Sequence, residues 1–182
     1  MRFLPILTLG FITLLSTTSF AQTAVPIRLA SADNIEDLFS PRPTTTNFNA
    51  DSLERQAFVL VNKKREENGL RDLEWNDQLE AVAKLHSGNM AEYRFFSHKG
   101  LDNKYVSDRA DAAHVGGWRS IGENIAFMRG YSDPVSMAVD LWLDSPAHRR
   151  NMMDPNWNES AIGVGVAQDG SVYFTQVFLT RK

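Results

Sequence analysis

The stretch AIGVGVAQDGSVYFTQVFL, residues 161–179, turns the chain from helical to alternating periodicity. Ile162, Val164 and Val166 alternate with Gly163 and Gly165, the pattern of a strand. Gln168-Asp169-Gly170 is a hairpin signal, and the segment from Ser171 to Leu179 is apolar on both faces. A strand of that kind is covered on both sides, here by helices. Glycines on one face of its neighbour let another element approach the backbone closely. The fold class expected is α+β, a three-layer α-β-α sandwich with a small antiparallel sheet.

The helices precede this hairpin. Asp133 as N-cap and Pro134 at N1 open one whose stripe is Val135, Ala138, Val139, Trp142 and Leu143. Earlier, Asp51 and Glu54 have the spacing of a capping box, followed by Leu53, Ala57, Leu60 and Val61; Gly69 ends that helix. Another starts at Asn76 or Asp77 with the stripe Leu79, Val82, Ala83, His86, Met90 and Tyr93. Residues 95–118 lack a period and read mainly as a long loop, a feature that is usually functional or mobile.

In a chain of 182 residues, 43% hydrophobic and 10% aromatic, there is enough apolar material for one core with extras. Residues 1–21 read as a secretory signal: Arg2, an apolar run from Phe3 to Leu15, and Ser19 and Ala21 at a cleavage site. That run is shorter than the ~20 residues of a bilayer span, so export with no transmembrane segment in the mature chain is expected. Residues 22–50, with Pro26, Pro41 and Pro43, read as a flexible arm. A short helix at 32–40 within the arm offers Ile35, Leu38 and Phe39 for docking, and the domain proper is expected over 51–182. The absence of cysteine excludes a disulfide framework and Cys-ligated zinc. Without Arg2 the 19 basic residues become 18 against 22 acidic, a net charge of −4, which does not suggest nucleic acid or an anionic membrane as partner.

Four histidines are candidates for chemistry. His86 lies on an apolar stripe and reads as a core histidine hydrogen-bonded to a neighbour; His114 is assigned no role. His98 follows Phe95-Phe96-Ser97 at the end of a helix, where rigid neighbours can hold a side chain toward a cleft. In LWLDSPAHRRNMMDP, residues 141–155, Ser145 and Pro146 interrupt and restart a helix. His148 falls at N3 of the restart, where the helix N-terminus disfavours the imidazolium. Glu123, in Gly122-Glu123-Asn124, is the most conspicuous carboxylate outside the helices. Spacing alone does not bring these three together.

LVNKKREENGLRDLEWNDQLEAVAKLHSGNMAEYRFFSH, IGENIA, WLDSPAHRRNMMDPNWNESAIGVGVAQDG and YFTQVF follow one another in this chain. Their order and spacing resemble the CAP superfamily of cysteine-rich secretory proteins, antigen 5 and pathogenesis-related 1 proteins, or SCP domains. The resemblance is to the bacterial, cysteine-free branch and covers about residues 52–182. It implies a central cleft in which His98, Glu123 and His148 converge. Many animal members carry a glutamate three residues after the helix tryptophan, where this chain has Ser145 after Trp142. The site expected is therefore three residues, completed by water or Ser145.

Two imidazoles and a carboxylate suit a divalent metal such as zinc, ligated by His98, His148 and Glu123. No H-E-x-x-H or G-x-S-x-G motif is present. The function expected is that of a secreted or periplasmic binding or interaction module. Its cleft would take a metal, a lipid or another small apolar ligand, with an extracytoplasmic protein or cell-envelope component as the other candidate partner. A metal-dependent hydrolase acting on peptide or cell-envelope substrates is the alternative.

Overall fold

The structure is a computed structural model that describes residues 48–181; the expected signal, the helix at 32–40 and nearly all of the arm lie outside the described residues. The elements in order are α1 (Ala50–Glu66), β1 (Glu74–Trp75), α2 (Asp77–Tyr93), α3 (Val106–Ala112) and β2 (Trp118–Met128), then α4 (Pro134–Asp144), α5 (Pro146–Met152), β3 (Glu159–Val166) and β4 (Val172–Arg181). Its four strands are ordered β1-β3-β4-β2. β3 and β4 pair antiparallel from Glu159↔Leu179 to Val166↔Val172, and β4 pairs antiparallel with β2. The three long strands form the expected antiparallel sheet, and the two-residue β1 adds a parallel pairing with β3 at its edge, which makes the sheet mixed. Two residues are too few to carry a period, so nothing in the alternation betrays that strand.

β4 is the core of the sandwich. Val172, Phe174 and Phe178 pack with Ala57 and Val61 of α1, Trp142 of α4 and Met152 of α5. Val177 and Leu179, on the other face, pack with Leu79, Val82 and Ala83 of α2 and Ala110 of α3. Strand period therefore sorts one run of apolar residues into two cores. α2 lies directly on the β3 glycines: a Cβ at Gly163 would stand 2.2 Å from the Lys84 amide nitrogen, and one at Gly165 2.1 Å from the Ser87 carbonyl oxygen.

The helix boundaries follow local chemistry, with two departures. Asn76 caps α2 by accepting from the amides of Gln78 and Leu79 at 2.8 and 3.0 Å, and Asp133 caps α4 through Ser136. α1 is capped by Asn49, which accepts from the Ser52 amide at 3.0 Å, not by Asp51. Glu54 is drawn away from the cap, because its buried carboxylate accepts the Val164 amide of β3 at 2.9 Å and meets Lys84 at 3.1 Å. Within the expected loop, residues 106–112 form α3. Seven residues are too short to display a helical stripe, yet α3 buries Arg109 and Ala110. Tyr93, counted on the α2 stripe, is exposed.

β2 is an outer strand, and side chains from the helices cover its free edge. Trp142 Nε1 donates to the Ile125 carbonyl at 3.0 Å and Asn151 Nδ2 to the Glu123 carbonyl at 3.1 Å. Buried backbone carbonyls that lack a strand partner thereby gain one.

Candidate functional site

The β2 edge is where the two helical layers meet, and the candidate residues converge there. Glu123 on β2 is buried, on the side covered by α2 and α3. His98 reaches it from the segment after α2. That helix ends at Arg94 in the left-handed conformation, φ 55°. Buried side chains then hold two successive carbonyls: His86 Nε2 donates to Ser97 at 2.9 Å, and Arg109 Nη1 to His98 at 3.2 Å. The core reading of His86 is thus borne out, and it has a use: it fixes the approach to His98.

His98 Nδ1 lies 2.8 Å from Glu123 Oε1, and Arg109 Nη2 donates to Glu123 Oε2. A carboxylate accepts only, so in the neutral ring Nδ1 carries the proton and Nε2 keeps its lone pair. His148 comes from the opposite layer, at N3 of α5. Its carbonyl accepts from Asn124 Nδ2 at 3.0 Å, and Asn151 Nδ2 donates to Asn124 Oδ1 at 3.0 Å. The His98 and His148 ring centres are 6.2 Å apart, with planes at 44°. Both line an open cleft of ≈ 500 Å³ whose apolar walls include Phe96, Tyr105 and Ile125. Burial, and secondarily the neighbouring His98, hold His148 below the ordinary histidine pKa. Desolvation favours the neutral imidazole.

The structure brings His98, Glu123 and His148 together but divides their roles. Both Glu123 oxygens are engaged, by His98 and Arg109, so Glu123 stands behind His98 and is not set to be a direct ligand. Among the described residues, no group of three or more His, Cys, Asp or Glu side chains is arranged to hold a metal ion. Ser145 occupies the N-cap position of α5 without a side-chain capping bond, and the residues that line the cleft do not include it. Its carbonyl, by contrast, accepts the Arg149 amide at 2.8 Å. His114 is exposed at φ 57° and is not among the residues that line the cleft. Arg109, Asn124 and Asn151 escape sequence reasoning; Asn124 is visible only as the neighbour of Glu123, and Arg109 only as an arginine beside an alanine.

A four-stranded sheet sandwiched between helices in this order is the fold of an SCP-type domain. The Cysteine-rich secretory protein family, CAP, matches residues 58–178, and the chain belongs to that family. It is 36% identical over 128 residues to YlbC of Bacillus subtilis (strain 168), described as an uncharacterized membrane protein, covering 70% of this chain and 34% of that one. A crystal structure of an extracellular SCP-domain protein from Bacillus anthracis superposes with TM-score 0.62 at 32% identity, over 72% of this chain and 41% of that one. An outer surface protein of Borrelia burgdorferi has the same fold, with TM-score 0.62 at 22% identity over 69% and 90% of the two chains. This chain therefore spans less than half of the first two relatives. Among the described residues, no helix is long and apolar enough to cross a membrane.

Proposed function

We propose that this chain is an exported CAP-domain binding module whose cleft takes a divalent metal such as zinc between His98 and His148, leaving the remaining coordination positions to water or a small ligand. One observation carries the reading: the Nδ1 of His98 is committed to Glu123, which dedicates Nε2 to the cleft shared with His148. Ring centres 6.2 Å apart come within reach of one tetrahedral ion held ~2.0–2.1 Å from each nitrogen once the two rings close by about 1 Å. The lowered pKa of His148 keeps it in the form that can donate a lone pair. Zinc bound there supplies Lewis acidity. Hydrolysis also needs a general base, and both oxygens of Glu123 are already engaged, which favours binding over catalysis. Export is supported by the signal-like segment at 1–21 and by relatives described as extracellular and outer-surface proteins.

Calorimetry of zinc binding to the wild type, His98→Ala, His148→Ala and His114→Ala tests the reading. Either cleft substitution is expected to remove most of the affinity, and His114→Ala to leave it intact. Equal affinity in all four proteins sinks the proposal.

A further inference from the structure

We infer that Arg109 is the positioning residue of this cleft: its guanidinium fixes both the backbone and the imidazole of His98 and so sets which ring nitrogen faces the ligand. The inference rests on the reading of His98 as a ligand residue. Arg109 is buried in α3, only 7% exposed. Nη2 donates to Glu123 Oε2, while Nη1 donates to the carbonyls of His98 at 3.2 Å and Lys104 at 3.0 Å.

These bonds close a ring. From the His98 carbonyl the path runs through the guanidinium to Glu123, and from Glu123 Oε1 back to His98 Nδ1 at 2.8 Å. One residue is thus held at both its backbone and its side-chain end. Each part of the clamp depends on the others. Without the guanidinium, Glu123 is a buried carboxylate with one oxygen unpartnered, free to rotate away from His98. Without Glu123, nothing distinguishes the two nitrogens of the imidazole. His86 contributes differently, since it holds the Ser97 carbonyl and makes no hydrogen bond to the His98 ring or to Glu123.

The chemistry calls for arginine. A planar guanidinium donates in several fixed directions at once, here to a carboxylate and to two carbonyls, whereas a lysine ammonium is a compact charge on a flexible stem. Lys104, whose carbonyl shares the clamp, belongs to the segment that leads into α3. The same guanidinium therefore also ties that segment to the cleft.

Imidazole-nitrogen NMR of the metal-free full chain, at about pH 8 where ordinary histidines are neutral, reads the tautomer directly. Wild-type His98 is expected to be the Nδ1–H form. In Arg109→Gln it is expected to populate both tautomers, while His148 keeps its wild-type signature and zinc Kd weakens about 10–100-fold, as for other outer-shell partners. Arg109→Lys, which retains charge but not the span, should fall between and serves if the glutamine variant does not fold. A pure Nδ1–H His98 in a folded Arg109 variant, or zinc affinity unchanged in both variants, overturns the inference. Should the wild type bind no zinc, the metal reading fails while the tautomer result still decides the role of Arg109.

Discussion

A methyl group added to Gly163 would press on the backbone of α2, its nearest neighbour being the Lys84 amide nitrogen at 2.2 Å. Backbone on both sides cannot give way as a flexible side chain does, so Gly163→Ala is expected to cost about 3 kcal/mol or more, at or above the upper end of ordinary overpacking. Gly88, within α2, has nothing within 4 Å of an added Cβ. Gly88→Ala is therefore expected to stabilise by roughly 0.5–1 kcal/mol through helix propensity. Denaturant unfolding of the two variants measures this contrast, and equal effects would mean that α2 does not lie on β3. The alternation of glycine with Ile162, Val164 and Val166 made this contact legible in the sequence. The cleft was less so, because residues 25 apart, such as His98 and Glu123, meet only through the fold. The family resemblance pointed to them, whereas Arg109 has no local signal, its role arising wholly from contact.

At the scale of elements, α4 serves both as a core helix and as a cover for the sheet edge. Its stripe was legible because five apolar residues kept a 3.6-residue period behind a clear cap. β1 and α3 were not, since two and seven residues are too short to show a period. Trp142 joins the two roles of α4: it is fully buried, and its indole nitrogen supplies the Ile125 carbonyl at 3.0 Å. Trp142→Ala is expected to cost about 3–5 kcal/mol, as truncation of a buried large aromatic does. Trp142→Phe keeps much of the volume but orphans the carbonyl, and about 1–3 kcal/mol is expected. Asp144 is exposed at the far end of α4, so Asp144→Ala should change stability by less than roughly 0.5 kcal/mol. Chemical denaturation ranks the three, and an Asp144 effect as large as that of Trp142 would overturn this assignment of faces.

Across the whole molecule, the sandwich and the cleft are linked by buried polar groups, and this gives stability a pH dependence. His86 is packed in α2 with Nε2 on the Ser97 carbonyl and Nδ1 without a partner. Its pKa lies below the ordinary histidine value, chiefly because burial disfavours the charged ring; Arg109 and His98 push the same way, while Glu123 and the Ser97 carbonyl oppose them. The sign follows from proton counts. With a folded-state pKa below the unfolded value of 6.5, the folded chain binds fewer protons through the intervening range. The stabilising contribution of neutral His86 is present above that value and is lost as pH falls through the folded-state pKa. One such group gives a slope of at most ~1.4 kcal/mol per pH unit. Denaturant unfolding of the metal-free chain between about pH 7.5 and 5 is thus expected to show stability declining toward acid. His86→Gln, which cannot titrate but can still donate to the Ser97 carbonyl, should flatten that decline while lowering stability at pH 7.5 by only about 1 kcal/mol. An unchanged slope in the folded variant would place the acid sensitivity elsewhere and leave His86 as packing alone.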